Sequence, residues 1–304
     1  MRHYENPSIF SENRMPQRAY YIPYESLEKA LAGNRHNSAY YTLLNGDWDF
    51  AFYERDFDLP ERIQDVPFTA TIPVPSCWQL QGYDSGGYTN VNYPFPVDPP
   101  YVPDINPCGI YYKKFDVNKE WEQRKTYIVF EGVCSCLFLY VNGQYVGYSQ
   151  GSHMQAEFNL SDFIRCGENE LTVKVFKWCS GSYLEDQDFF RFNGIFRDVY
   201  LLSREENHIR DVKVTADCKT ITVNCSDYEI YDAENHIADL SAPILWNAEN
   251  PYLYTVVIKG KSEYIPVKVG MREITVSDKF ELLINGVSVK LKGVNHHDTN
   301  AYTG

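Results

Sequence analysis

The stretch ELTVKVFKW, residues 170–178, decides the fold class of this chain of 304 residues. Its apolar and polar residues alternate, in the order Leu171, Thr172, Val173, Lys174 and Val175. Because successive side chains of a strand point to opposite faces of a sheet, this period of two predicts a half-buried strand. Strand patterns of this kind dominate the chain, so we predict a mostly β protein.

Asn-Gly pairs mark candidate turns between the predicted strands. They begin at residues 45, 142, 193 and 285, between apolar or aromatic runs. Asn and Gly both tolerate positive φ, so this dipeptide is a strong signal of a tight hairpin turn. One segment departs from the β pattern, since YESLEKALAG, residues 24–33, predicts a short helix that ends at Gly33.

The composition is that of a globular protein with an excess of aromatic residues. Hydrophobic residues make up 44%, charged residues 23% and aromatic residues 15%. Aromatic side chains favour strands and also stack on the C–H faces of sugars, so the excess fits a structural cause or a ligand. The net charge of -13 repels phosphate backbones and anionic membranes, so we expect neither a nucleic acid nor a membrane as partner.

The chain begins without an apolar signal segment, and no apolar run approaches the length of a membrane span. We therefore expect a cytoplasmic protein in which the eight cysteines are reduced thiols. Cys134 and Cys136 lie two apart in a predicted strand, and we interpret them as small core residues in preference to zinc ligands.

Two segments predict the organisation of the chain. Residues 71–109 are rich in proline and glycine, which indicates a long, stiffened surface loop, and loops of that length are usually functional. The charged run SREENHIR, residues 203–210, is typical of a linker, so we place a domain boundary near residue 204. The short strands that follow would form a small β-sandwich.

The stretch SYLEDQDFFRFNG, residues 182–194, crowds acidic residues among aromatic ones. Its carboxylates are Glu185, Asp186 and Asp188. A solvated turn is the default interpretation, because Asp and Glu are rarely buried without a partner. Aromatic surroundings would strengthen contacts to a ligand or a metal, whereas Arg191 and Arg197 could neutralise the acids in an internal ion-pair network. From these residues alone, a binding role and an internal ion-pair network both stay open.

Four stretches together resemble glycoside hydrolase family 2 and, within it, the β-galactosidase branch. In the order in which the family has them, they are PSCWQLQGYDSGGYTNVNYPFPVDPPYVP, FEGVCSCLFLYVNGQYVGYSQGS, WCSGSYLEDQDFFRFNGIFRDVYLL and LLINGVSVKLKGVNHHD. The resemblance implies an all-β chain that begins with a jelly-roll sugar-binding domain, residues 1–204. A small immunoglobulin-like β-sandwich, residues 205–276, and the first strand of a truncated TIM barrel, within 277–304 and running through KLKGVNHHD, would follow.

The family implies the chemistry of a longer protein. Its β-galactosidases hydrolyse terminal β-galactosides such as lactose with retention, using two glutamates on later barrel strands. A TIM barrel needs about 250 residues. We therefore expect this chain to be the N-terminal part of such an enzyme, to contain no catalytic residue and to be inactive alone.

The resemblance also implies three residues that contact the sugar. They are Asn90 of YTNV, Asp188 of EDQD and His297 of NHHD, and Asp188 matches a residue that helps to hold a sodium ion. Glu185 and Asp186 are expected to anchor the turn. From the residues alone, Asn90 could cap a turn and His297 could be an ordinary loop residue.

For the full-length enzyme the family implies sodium and magnesium ions and a homo-oligomer, with no cofactor bound tightly to this chain. Trp78 and Tyr83 could stack on sugar or be structural loop aromatics. The alternatives are a free-standing carbohydrate-binding module and an assembly domain whose segment 71–109 contacts another subunit. Because β-glucuronidases and β-mannosidases share the architecture, and HHD stands where relatives often carry Arg-His-Glu, the galactoside preference stays open.

Overall fold

The computed structural model describes residues 2–89, 92–185, 187–296, 299–300 and 302–303. Its internal contacts divide the chain into two compact units. The first unit contains Thr42–Ser203 and the segments before Arg18 and after His296. The second unit contains Arg18–Tyr41 and Arg204–His296. Strands make up most of the regular structure of both, which confirms the prediction of an all-β fold.

The strands up to residue 204 belong almost entirely to the first unit. In chain order they are β1 Ser11–Glu12, β2 Tyr41–Leu43, β3 Gly46–Tyr53, β4 Ala70–Val74, β5 Gly87–Thr89, β6 Cys108–Val117, β7 Lys125–Phe130, β8 Val133–Cys134, β9 Cys136–Val141, β10 Gln144–Gln150, β11 Ala156–Asn159, β12 Gly167–Phe176, β13 Phe189–Arg191, β14 Gly194–Ile195 and β15 Val199–Arg204. Short 3-10 turns lie between them at His3–Glu5, Asp56–Asp58, Ile63–Asp65, Trp78–Gln81, Lys119–Trp121 and Ser180–Tyr183.

The first unit is a β-sandwich, as predicted. One sheet has the strand order β1-β10-β9-β12-β6-β3-β4, and a second has the order β11-β7-β15-β2. All neighbouring strands of the larger sheet run antiparallel. Two ribbons, β13-β5 and β14-β8, stand beside these sheets, and the first of them carries the acidic stretch.

The core of the first unit joins residues of both sheets. Leu171, Val173 and Val175 of β12 are fully buried, which confirms the strand predicted from their alternation. They belong to one apolar cluster with residues of the smaller sheet such as Ile128 and Val199. Because a fully buried aliphatic side chain contributes about 1.5–3 kcal/mol, this cluster stabilises the sandwich.

A second apolar cluster covers other residues of the larger sheet. Cys136 and Phe138 of β9 pack there with Tyr4 of the N-terminal segment and Val102 of the segment 71–109. Between β4 and β6 this segment forms only the 3-10 turn and β5 among the described residues, in agreement with the absence of long elements expected from its prolines. Part of the segment predicted as a surface loop, including Val102, therefore belongs to the apolar core.

Two of the four Asn-Gly pairs form the predicted hairpin turns. Asn142 and Gly143 have φ values of 49° and 75° and connect β9 to β10. The pair at residue 285 connects two strands of the second unit in the same way. The pairs at 45 and 193 form no hairpin, because the strands that flank them pair with other strands.

The second unit consists of one helix and short strands. They are α1 Leu27–Ala32, β16 Val214–Ala216, β17 Ile221–Val223, β18 Tyr228–Tyr231, β19 Tyr254–Lys259, β20 Tyr264–Val269, β21 Ile274–Val276, β22 Leu282–Ile284 and β23 Val287–Ser288, with a 3-10 turn at Arg35–Asn37. The sheets are β16-β17, β18-β19-β20 and β21-β22-β23. As predicted, α1 ends at Gly33, whose φ is 67°, and the Ser26 hydroxyl caps its N-terminus by accepting from Lys29 N.

The N-terminal segment 18–41 groups with the second unit, whereas the predicted first domain contained all of residues 1–204. Tyr24 exchanges two backbone hydrogen bonds with Tyr264, at 2.9 and 2.8 Å. The Tyr21 hydroxyl donates to the Ile209 carbonyl at 2.6 Å, and the Tyr21 ring joins the core of this unit. These contacts link residues far apart in the chain, so no local pattern predicts them.

The predicted strand through KLKGVNHHD is not formed by the described residues 290–296. Leu291 and Val294 are 85% and 91% exposed. A strand requires a hydrogen-bonded neighbour, and no sheet of the described residues includes this segment. The assignment of residues 277–304 to the start of a TIM barrel stays a prediction.

The eight cysteines are free thiols. Cys136 is a core residue, as interpreted from the sequence, whereas Cys134 lies on a separate strand, β8, and is half-buried. Within the part of the chain that the structure describes, no helix is both long enough and apolar enough to cross a membrane.

Candidate sugar-binding site

The ribbon of β5 and β13 positions Asp188. Its register pairs Phe189 with Thr89 and Phe190 with Tyr88. Asp188 precedes β13, and the alternation of side chains places it on the same face as Phe190. The Tyr88 hydroxyl donates a hydrogen bond to Asp188 Oδ1, which raises the pKa of Tyr88. The carboxylate is exposed to solvent and accepts this hydrogen bond from a residue of β5.

The structure describes the position of one of the three predicted sugar-contacting residues. Asp188 is exposed at the end of the ribbon, where a carboxylate can meet a ligand. Asn90 and His297 lie outside the described residues. The convergence of all three on one sugar therefore stays a prediction.

Glu185 anchors the acidic turn, as predicted. Its carboxylate accepts from Ser152 N at 2.7 Å and from Ser152 Oγ at 2.6 Å. Both carboxylate oxygens are engaged in this way, so Glu185 is a structural acid of this turn. Asp186, for which the same role was predicted, lies outside the described residues.

Arg191 has a role that the sequence did not reveal. Its Nε donates to Thr89 Oγ1 at 2.9 Å, and its two terminal nitrogens donate to the carbonyl oxygens of Glu185 and Gln187 at 3.3 and 3.2 Å. The sequence suggested only that Arg191 could neutralise nearby acids. Arg pairing with backbone oxygens has no signature in a local pattern, which is why this role was missed.

A polar network supports the ribbon from its other end. Gln79 and Asn193 bond each other twice, with Asn193 N to Gln79 Oε1 and Gln79 Nε2 to Asn193 Oδ1 both at 2.8 Å. Gln79 Nε2 also donates to Asp84, whose Oδ2 pairs with Lys177 Nζ at 2.6 Å. The Lys177 and Asp84 side chains are only 14% and 11% exposed, so this ion pair fixes the loop that leads into β5.

Aromatic rings form a groove beside Asp188. Phe190 and Phe192 are stacked, with ring centroids 6.0 Å apart and an interplanar angle of 17°, and Tyr88 lies 5.6 Å from Phe190. A groove of about 380 Å³ is lined by these rings together with Gln79, Leu80, Gly86 and Gly87. A groove of this size can hold a small ligand, and exposed ring faces stack on the C–H faces of sugars.

The two aromatics that the sequence offered as stacking residues are structural. Trp78 is fully buried in the core of the first unit. Tyr83 packs against that core, with its ring 4.9 Å from the ring of Phe50. The sequence placed Phe190 and Phe192 near the acidic residues, whereas Tyr88 joins them only through the pairing of β5 with β13.

The residues present supply part of a cation site at most. A carboxylate oxygen is a ligand that hard cations prefer, so Asp188 fits one position around the implied sodium ion. Among the described residues, no group of three or more His, Cys, Asp or Glu side chains could hold a metal ion. The remaining ligands of a sodium ion and all ligands of a magnesium ion would have to come from other residues.

A β-sandwich whose ribbon presents an exposed carboxylate beside the exposed Tyr88 ring and two half-buried phenylalanine rings suits a carbohydrate-binding domain. Residues 41–205 match the family model described as the sugar binding domain of the family 2 glycosyl hydrolases. That range contains every strand of both sheets of the sandwich except β1, together with the ribbon and Asp188. The chain belongs to glycoside hydrolase family 2.

Curated relatives match the chain along its whole length. A β-galactosidase of Actinobacillus pleuropneumoniae is 43% identical, over 99% of this chain and 32% of the relative. A β-galactosidase of Staphylococcus xylosus is 37% identical, over 99% of this chain and 33% of the relative. The chain thus spans about a third of the length of these relatives.

Solved structures of β-glucuronidases share the fold. A β-glucuronidase of an uncultured Clostridium sp. has a TM-score of 0.62 at 23% identity, covering 82% of this chain and 47% of the other. The Faecalibacterium prausnitzii enzyme has a TM-score of 0.65 at 17% identity, covering 83% and 49%. At such identities the likeness concerns the fold alone.

Proposed function

We propose that this chain is the N-terminal part of a retaining β-galactosidase, and that it contributes sugar contacts to an active site completed by a later domain. The observation that carries the proposal is the 43% identity to a β-galactosidase over 99% of the chain. The proposed substrates are terminal non-reducing β-D-galactosides such as lactose. The chain alone is inactive in this proposal, because both catalytic glutamates lie outside it.

Asp188 is the residue that binds the sugar in this proposal. An ionised carboxylate accepts strong, charge-assisted hydrogen bonds from sugar hydroxyls, and the Tyr88 hydroxyl bond fixes the direction in which it points. Orientation of this kind lowers the entropy that a reaction must lose on the way to its transition state. Asn90 and His297 contribute the further contacts that their motifs imply.

The acids of this chain do not perform the hydrolysis. Retaining glycosidases need two carboxyl groups about 5–5.5 Å apart, one as acid and base and one as nucleophile. Glu185 is engaged by Ser152 through both oxygens. Asp188 binds the sugar in this proposal, and the two catalytic glutamates are those that the family has on later barrel strands.

Sodium and magnesium belong to the proposal for the longer protein. Sodium would share Asp188 as a ligand and neutralise charge where the sugar hydroxyls meet the carboxylate. We also propose that the longer protein is a cytoplasmic homo-oligomer.

The experiment is to follow the coding frame beyond residue 304 and to assay its full product. We expect the product to hydrolyse a nitrophenyl β-galactoside much faster than the β-glucuronide or β-mannoside, with the β-anomer released first in NMR spectra. The 304-residue chain, assayed in parallel, is expected to show no hydrolysis. A product that prefers the glucuronide or the mannoside would contradict the proposal.

Sugar binding without catalysis is the second candidate, and the aromatic groove beside Asp188 favours it. It takes first place if the coding frame stops at residue 304 and the chain binds methyl β-galactoside. Titration followed by NMR measures the binding, and the hydrolysis assay separates the two candidates, because only the first requires a longer product with hydrolytic activity.

A further inference from the structure

One guanidinium group joins the two chain segments that carry predicted sugar-contacting residues. Arg191 Nε donates to Thr89 Oγ1 at 2.9 Å, and an Arg191 terminal nitrogen donates to the Gln187 carbonyl at 3.2 Å. In the sequence Thr89 directly precedes Asn90, and Gln187 directly precedes Asp188. Arg191 therefore contacts the residue before each of them.

We propose that Arg191 is a positioning residue that sets the spacing between the segments of Asn90 and Asp188, and thereby prepares the site for the galactoside. The inference rests on the proposed function. Arg191 itself does not contact the sugar in this arrangement, because its nitrogens are directed to oxygens of the protein.

The ribbon needs such a tie because it is short. β5 and β13 have three residues each, and a two-stranded hairpin on its own is at best marginally stable in water. The Gln79–Asn193 bonds hold the end of the ribbon near β14. Arg191 supplies the tie toward the other end, where Asp188 lies.

The chemistry of the group suits this task. A guanidinium is planar and carries five N–H donors in fixed directions, so one side chain can bond three acceptors at once. Here the acceptors are a hydroxyl and two carbonyls, and the third is the Glu185 carbonyl at 3.3 Å. The Arg191 guanidinium also lies 4.6 Å from the centre of the Phe189 ring, which fixes its plane. A Lys ammonium has no such plane.

The same stretch offers a matched control. Arg197 also lies over an aromatic ring, Phe196, at 5.3 Å, and also donates to two backbone carbonyls, those of Glu131 and His153. Neither carbonyl belongs to a residue next to Asn90 or Asp188. Removal of Arg197 therefore has a comparable cost in contacts without a change in the spacing of the two segments.

The kinetic test uses the full-length protein with Arg191→Ala, Arg191→Lys, Thr89→Val and Arg197→Ala. A displacement of about 1 Å can cost on the order of 100-fold in rate, so we expect kcat/KM for a nitrophenyl β-galactoside to fall about 10- to 100-fold in both Arg191 variants. Thr89→Val removes one acceptor and should lower it about 3- to 10-fold. Arg197→Ala should stay within about threefold.

Chemical rescue separates positioning from general stability. Guanidinium chloride at tens of millimolar should restore part of the activity of Arg191→Ala, whereas methylammonium should not, because only the former is planar. Activity of Arg191→Ala within about threefold of wild type would overturn the proposal. If Arg191→Ala does not fold, Thr89→Val decides, since it is nearly isosteric, and unchanged kcat/KM in that variant would overturn the proposal as well.

A second readout does not depend on hydrolysis. In NMR spectra of the 304-residue chain, the contact between the Tyr88 ring and the Asp188 β protons should be lost in Arg191→Ala and kept in Arg197→Ala. Persistence of that contact in Arg191→Ala overturns the positioning role. If the wild-type full-length protein lacks β-galactosidase activity while the contact is lost as expected, only the proposed function fails.

Discussion

Ser152 donates two hydrogen bonds to the carboxylate of Glu185, one from its backbone nitrogen and one from its hydroxyl, at 2.7 and 2.6 Å. Ser152 is 1% exposed, so these bonds fix the acidic turn to the interior of the sandwich. Glu185→Ala should lower the free energy of unfolding by about 1.5–3 kcal/mol, because hydrogen bonds to a charged group are lost and a buried donor is left without its acceptor.

Urea unfolding measures this loss, and Ser152→Ala is the partner variant. Ser152→Ala keeps the backbone donor, so it should cost less than Glu185→Ala. In a double-mutant cycle the two effects should be non-additive. Additive effects would show that the two residues act independently and would contradict the anchoring role.

Asp188→Ala should lower kcat/KM of the full-length enzyme by about 2–4 kcal/mol in transition-state free energy, which corresponds to roughly 30- to 900-fold. The physical reason is the loss of charge-assisted bonds to sugar hydroxyls. Tyr88→Phe, which removes the hydroxyl that holds Asp188, should cause a smaller loss. Steady-state kinetics decide, and unchanged constants for Asp188→Ala would remove Asp188 from the site.

Arg204 and Glu263 form a buried ion pair in the second unit, with side chains 2% and 1% exposed and two N–O distances of 2.7 and 3.1 Å. Glu263→Ala should destabilise this unit by about 3–5 kcal/mol, because it leaves a buried charge without its partner. The double variant Arg204→Met with Glu263→Leu should recover much of that loss. Urea unfolding of the three proteins tests this, and a double variant less stable than Glu263→Ala would argue against the explanation.

His208 predicts a pH dependence of stability. Burial and the positive charge of Arg204 hold the pKa of His208 below its ordinary value of 6.5. As the pH falls below about 7, the unfolded chain therefore binds a proton before the folded chain does, and the free energy of unfolding decreases. The slope is at most about 1.4 kcal/mol per pH unit for one proton. The stability that depends on a neutral His208 is fully present above about pH 6.5. It is lost as the pH falls from there toward the lower pKa of His208 in the folded chain.

Unfolding of the second unit at pH 7.5 and pH 5.5, with and without His208→Gln, measures this contribution. The variant should lose less stability between the two pH values than the wild type does. Equal losses in both proteins would show that other groups cause the dependence.

Local patterns predicted the parts of this fold that depend on neighbours in sequence. The alternation in β12, the helix α1 with its end at Gly33 and the hairpin at Asn142 all follow from periods and turn chemistry within a few residues. The grouping of residues 18–41 with residues 204–296 did not follow, because it depends on pairings such as Tyr24 with Tyr264. No period in the sequence encodes such a pairing.

The candidate site divides in the same way. A family motif identified Asp188, and the structure shows it exposed beside Tyr88, which the motif did not indicate. Arg191 was visible only as a positive charge among acids, whereas its actual partners are a hydroxyl and two carbonyls. Backbone acceptors are present at every residue, so the sequence cannot show which of them a side chain selects.

The composition of the second unit from two separated segments has a consequence for synthesis of the protein. Residues 18–41 leave the ribosome first, and their core partners in Arg204–His296 follow only after the whole of Thr42–Ser203. At about 5–20 residues per second, this delay lasts on the order of ten seconds or longer. During this delay Tyr21 and Tyr24 have no native core to enter. The nascent chain therefore exposes an apolar segment that a chaperone can bind.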